Sequence, residues 1–160
     1  MRHVQLDALI PAEQATTVFD SVRRWERYPD LAPHVNKTTV HATYPEKNAS
    51  SSWELHFRSG LLRWTEDDVF APERGEIRFE QSDGDFDSFT GTWTVTQRGD
   101  DVTVRFDADF DFGIPSLEGI LDPIAERVIQ ETVAWALTGL FPTTRLSGDV
   151  DLTEPAAVGA

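Results

Sequence analysis

Two carboxylates, Glu66 and Asp68, stand two residues apart in a run that puts Leu62, Trp64 and Phe70 on the same side of an extended chain. Period-two alternation gives that strand an apolar face carrying both acids, with their Cα atoms roughly 7 Å apart. On a desolvated face the two would repel, and burial with repulsion holds at least one protonated. Such a pair could take an acidic proton from a carbon between two carbonyls and return one to a departing oxygen. The alternative is a strand that curls at its end and brings both side chains to solvent. His34, just after Pro33, is a third titratable candidate. It could serve as a general base near a cavity mouth, or be a loop histidine facing water.

Around these groups the chain supplies flat apolar side chains. Tyr28, Trp53, Phe57, Trp64, Phe79, Trp93 and Phe106 could wall a cavity that confines a ring system, which is catalysis by positioning. Ordinary core packing is the alternative for part of that set. Gln81 is an inward amide that could orient a carbonyl or simply end a strand. Val128 and Thr132 lie on a helical roof, where a threonine can also bond its own backbone. His3, His41 and His56 lack metal-ligand spacing, and the stripe Asp107, Asp109, Asp111 lacks the glycine and distal glutamate of a calcium loop. With no Cys, disulfides and thiolate chemistry are excluded. No phosphate-binding glycine loop, dinucleotide fingerprint or Gly-x-Ser-x-Gly elbow is present. Neither a metal nor an organic cofactor is expected.

The elements that must position these residues follow from periodicity. Val4, Leu6 and Ala8 alternate as a first strand; Pro11 suits a helix start, and Ala15, Val18, Phe19 and Val22 recur at helical spacing. Trp25 to Leu31 reads as a short second helix or turn. Six strands with short turns then run to Phe112, which predicts an antiparallel sheet with one buried face. Asp122-Pro123 reads as a cap and first-turn proline of a long helix ending at Phe141-Pro142. A frayed, disordered tail is expected over 142–160. The fold class is α+β: a curved sheet of about seven strands wrapped on a C-terminal helix, with an internal apolar cavity.

The 160 residues suit one domain, and 28 acids against 14 bases leave a net charge of −14. That balance argues against binding nucleic acid or anionic lipid. The excess is local: residues 66–122 carry sixteen acids and four bases, whereas residues 1–65 are nearly neutral. Arg23, Arg24, Arg27 and Lys37 are the one basic concentration. With no signal-peptide core and no apolar run of spanning length, the expectation is a cytoplasmic protein, monomer or homodimer, without membrane insertion.

The order of elements, with Trp25-Glu26-Arg27-Tyr28-Pro29-Asp30-Leu31, Leu62-Arg63-Trp64-Thr65-Glu66-Asp67, Gly91-Thr92-Trp93 and the apolar last helix, resembles the START-like helix-grip superfamily over residues 2–141. Within it the chain looks most like bacterial polyketide cyclase/dehydrases, including aromatase/cyclases. The resemblance implies a poly-β-ketone substrate, aldol closure and dehydration without a cofactor. It also implies an acyl carrier protein as candidate partner; such carriers are acidic, and the local basic concentration offers Arg23, Arg24 and Arg27 as the docking site. Where such proteins have an inward Arg, this chain has Asp68, and Glu66 replaces a small hydroxyl residue. Their inward Tyr and Asn fall near Val35 and Thr132. The resemblance therefore implies the fold more fully than the catalytic set, and chemistry here would fall to carboxylates. The other function in view is non-catalytic binding or transport of a lipid- or quinone-like molecule.

Overall fold

The computed structural model describes residues 1–148 and 152. Strand β1 (Arg2–Ile10) leads to helix α1 (Ala15–Val22), a single turn at Trp25–Arg27 and the short helix α2 (Tyr28–Leu31). Six strands follow: β2 (Val35–Ala42), β3 (Ala49–Phe57), β4 (Gly60–Ala71), β5 (Glu76–Gly84), β6 (Ser88–Arg98) and β7 (Asp101–Asp111). The long helix α3 (Glu118–Leu140) and a two-residue strand β8 (Arg145–Leu146) complete the chain. The eight strands form one sheet in the order β2-β3-β4-β5-β6-β7-β1-β8, antiparallel throughout. This is the helix-grip architecture, and the α+β expectation holds with one strand more than the seven anticipated.

Sheet curvature is written into two glycines. Gly75 adopts φ +60° at the turn into β5, a conformation that favours glycine. Gly91, on β6, has no side chain because the Phe79 ring and Ala108 Cβ occupy the space one would need. Alternation on β4 and β7 then aims Leu62, Trp64, Glu66 and Asp68, and Val102, Val104, Phe106, Ala108 and Phe110, into the core.

Helix α3 covers that face through Ala125, Ile129, Thr132, Val133, Ala136 and Leu137, a stripe at i, i+4, i+7, i+8 spacing. Val128 and Leu140 lie at its margin. The helix starts four residues before the expected Asp122. The Pro115–Leu117 turn runs straight into it, and Pro123 sits inside, where it costs one backbone bond. Asp122 is buried rather than capping. Within the span expected as a tail, the Thr144 hydroxyl donates to the Phe141 carbonyl at 2.6 Å, and Arg145–Leu146 pair with Leu9 and Ala8 of β1. The remainder of that expectation, residues 149–151 and 153–160, lies outside the described residues.

Candidate active site

Register on β3 and β4 assembles the site. Trp53 is the cross-strand partner of Trp64, Ser51 of Glu66, and Ala49 of Asp68, so one face carries a tryptophan pair followed by a polar cluster. The two indoles stack with an interplanar angle of 2° and centroids 5.9 Å apart. Each then donates to a residue two places away on its own strand: Trp64 Nε1 to Glu66 Oε1 at 2.8 Å, and Trp53 Nε1 to Ser51 Oγ at 3.0 Å. Ser51 in turn donates its hydroxyl hydrogen to Asp68 Oδ2 at 2.7 Å. The Trp25 indole N–H also lies near Asp68 and favours its charge, without reaching hydrogen-bond geometry to any partner. Two indoles thus face the carboxyl pair, and a third, Trp53, is linked to it through Ser51.

Glu66 and Asp68 are 4% and 2% exposed. The alternative of a strand curling to solvent is overturned, because β4 stays paired on both sides and its inward face is roofed by α3. The two carboxyls lie close enough to shift each other's protonation. Burial pushes Glu66 well above the usual carboxylate range, and the neighbouring Asp68 charge pushes it further. Burial also raises Asp68, against the bonds from Glu66 and Ser51 that favour its ionised form. Both acids are thus held toward their protonated forms, Glu66 the more strongly of the two.

Glu66 opens onto a cavity of about 40 Å³ beneath α3. Of the expected walls, Tyr28, Trp53, Trp64, Phe79, Trp93, Phe106 and Thr132 line it. Phe57, Val128 and Gln81 do not. Phe57 packs on Phe112 at the rim, with centroids 6.0 Å apart. Val128 turns aside, and its carbonyl accepts from the Thr132 hydroxyl at 2.7 Å. Gln81 is a brace: its amide donates to the Phe86 carbonyl at 2.8 Å and accepts from the Phe86 N–H at 3.3 Å. That brace folds Phe86 inward against Phe89, Phe110 and Phe112. Tyr28 is a wall only, since its hydroxyl donates to the Val22 carbonyl at 2.8 Å. The cavity is far smaller than the aromatic inventory promised, because the rings pack on one another. Trp25 alone touches Tyr28, Trp53, Trp93 and Phe70.

His34 is neither a free base nor a solvent-facing loop residue. It is 6% exposed, and its Nε2 lies 2.9 Å from Glu131 Oε1, tying the α2–β2 junction to α3. Arg23 and Arg24 both pair with Asp20, and Arg23 also covers the Tyr44 ring at 5.3 Å. Arg27 is exposed and has no carboxylate partner among the described residues. Ser51, Trp25 and Glu131, with the lining residues Leu55, Phe89, Ile129 and Val133, are the site residues that sequence reasoning missed. Ser51 was findable: it keeps the inward phase of Trp53 and Leu55. No metal-binding cluster occurs among the described residues.

A curved sheet gripping a helix, with a buried carboxyl pair beside an aromatic cavity, defines a START-like helix-grip fold. The family described as polyketide cyclase / dehydrase and lipid transport matches residues 10–138, and the chain belongs to it. Among curated proteins no match is found. Among solved structures, TTHA0849 from Thermus thermophilus superposes with a TM-score of 0.76 at 26% identity, over 88% of this chain and 95% of that one. A START superfamily protein from Mycobacterium smegmatis gives 0.73 at 19% identity, over 89% and 98%. The Zhui aromatase/cyclase from Streptomyces sp. R1128 gives 0.68 at 16%, over 88% and 92%. The last two likenesses concern the fold alone.

Proposed function

We propose that this chain is a cofactor-independent polyketide cyclase in which the Glu66–Asp68 pair runs aldol closure and dehydration of a poly-β-ketone. The observation that carries the reading is a buried carboxyl pair, with Glu66 opening onto an aromatic cavity and its affinity for a proton raised by burial and by Asp68. Glu66 is the contact residue, and Asp68 sets its protonation. With its proton passed to Asp68, Glu66 removes a hydrogen from a methylene between two carbonyls. The carbanion closes on a second carbonyl of the same chain, and the new alkoxide takes the proton back. Removal of a second α-hydrogen and protonation of the hydroxyl then release water, leaving the pair as it began.

A cavity of about 40 Å³ is well below the few hundred Å³ of ordinary ligand sites. Admission of a substrate therefore requires α3 to part from the α2–β2 junction, since the sheet is held by its ladders. That movement breaks the His34–Glu131 pair. Delivery by an acidic carrier protein would rest on Arg27 and Lys37, because Arg23 and Arg24 are engaged by Asp20. A second reading, carriage of a hydrophobic molecule, is favoured by the hydroxyls of Tyr28 and Thr132 being spent internally, which leaves Glu66 as the polar contact.

Incubation with a minimal polyketide synthase tests the choice. A cyclase shifts the products toward one cyclised, dehydrated compound, and Glu66→Gln or Asp68→Asn abolishes the shift with the fold intact. A product profile unaltered by the wild-type protein overturns the catalytic reading in favour of carriage.

A further inference from the structure

Helix α3 is weakest at its start, for local reasons. Residues 113–120 are all exposed, among them the large apolar side chains of Ile114, Leu117 and Ile120. Unwinding them gives up little buried surface, whereas Ala125, Ile129 and Val133 further along are buried. No side chain caps the helix at Leu117. Pro123 has no N–H to donate to the Gly119 carbonyl one turn back, so the turn Glu118–Asp122 is held to the rest of α3 one bond short. Gly119 is itself a poor helix former, with open space where a side chain would sit.

Asp122 favours a different start. In the long helix it is buried and its Oδ1 has no partner among the described residues, which is costly. In a helix beginning at Asp122, the same carboxylate would accept from the N–H groups of the new first turn. Pro123 would then hold the first helical position, where a missing N–H is no loss. One sequence thus encodes two starts for α3, and the structure shows the longer. Phe112, between β7 and this segment, packs on Phe57 with centroids 6.0 Å apart and on Phe86 at 5.0 Å. Phe86 in turn meets Phe89 at 4.7 Å and Trp64 at 5.9 Å, and both of these line the cavity. A file of rings therefore stops the cavity at this end. Phe57 adjoins the α2–β2 junction, since the His56 N–H donates to the His34 carbonyl at 2.7 Å.

We propose that Glu118–Asp122 is a hinge that gates the cavity: the first turn of α3 unwinds and the helix restarts on Asp122. The slack lets Phe112 leave Phe57 as α3 parts from the α2–β2 junction, and the cavity opens past Phe86. The inference deepens the reading above and rests on one part of it, that the cavity admits a ligand, whether for ring closure or for carriage.

Amide hydrogen exchange of the full chain, followed by NMR without ligand, reads the unwinding. The amides of Ile124 and Ala125 should exchange through local opening at least about a hundredfold faster than those of Ile129 and Val133. Gly119→Ala, whose methyl meets no neighbour, strengthens the long helix and slows that exchange about fivefold. Asp122→Ala removes the cap of the short helix and also slows it about fivefold, whereas an aspartate that merely braces the long helix would give faster exchange. Pro123→Ala, which restores the missing bond, serves in the same role should Asp122→Ala fail to fold. Stopped-flow uptake of the neutral fluorescent probe N-phenylnaphthylamine should slow by the same factor in each variant. The proposal is overturned if Ile124 and Ala125 are as protected as Ile129, if Gly119→Ala changes neither rate, or if Asp122→Ala speeds exchange. It is overturned equally if the variants slow exchange and leave uptake unchanged, or if the wild-type chain takes up no probe. Polyketide synthase products are read separately: unaltered products beside uptake that slows as expected count against ring closure alone.

Discussion

Ser51→Ala removes one oxygen and leaves two buried groups short. The serine is fully buried; it donates to Asp68 Oδ2 at 2.7 Å and accepts from Trp53 Nε1 at 3.0 Å. Loss of the bond to the charged acceptor costs about 2 kcal/mol, and the stranded indole N–H about 1 kcal/mol more. The variant should therefore be destabilised by about 3 kcal/mol at neutral pH, a fall in Tm of roughly 6–12 °C for a domain of this size. The pH dependence carries the sign. Burial holds both carboxyls above their unfolded values. Between the unfolded value of about 4 and the raised folded values, the native state binds more protons than the unfolded chain, so stability falls as pH rises through that window. Removing Ser51 takes a charge-favouring donor from Asp68 and raises it further, which steepens that fall. Below the unfolded value both states are protonated, and the deficit shrinks to about 1 kcal/mol. Urea denaturation of wild type and variant at several pH values between acid and neutral measures this directly. A deficit that is the same at every pH would show that Ser51 does not favour the ionised form of Asp68, and the reasoning would fail.

Gly91→Ala drives a methyl into the Phe79 ring and Ala108, and should cost about 1–3 kcal/mol by chemical denaturation. His34→Ala removes the hydrogen-bond partner of the part-buried Glu131 carboxylate on α3, with an expected loss of about 2 kcal/mol. The same variant should speed uptake of a hydrophobic fluorescent probe if the pair holds the cavity shut; unchanged uptake rates would place the opening elsewhere. His3 is bonded through Nδ1 to Asp109 and Nε2 to Asp107, each at 2.9 Å, and these partners raise it above its usual value. The clamp of β1 on β7 is thus fully present below about pH 6.5 and is lost as pH rises through the raised value. At this exposure it is worth less than about 1 kcal/mol, and an NMR titration of the ring protons, with and without Asp109→Asn, reads it.

The architecture was legible because strand and helix periods are local. Period-two alternation put Glu66 and Asp68 beside Trp64 on the inward face, and β4 keeps that phase from Leu62 through Asp68. The last helix was legible as an apolar stripe, although its start was not, since a proline in the second turn of a helix looks from the sequence like a proline at its beginning. Gln81 illustrates the limit of phase: it points inward as alternation requires, yet its amide is taken by the Phe86 backbone across the turn.

Composition and spacing by themselves determined an antiparallel sheet covered by a last helix, an aromatic interior and a carboxyl pair two residues apart on an apolar face, because each depends on side-chain phase along one segment. Tertiary structure decided the protonation and partners of that pair, and the volume left beside it. Ser51 meets Asp68 through the register of two strands, His34 meets Glu131 across 97 positions of chain, and the rings close the cavity to about 40 Å³ by packing on one another. Hydrogen bonding, desolvation and void volume belong to contacts between segments, and only the folded chain brings those segments together.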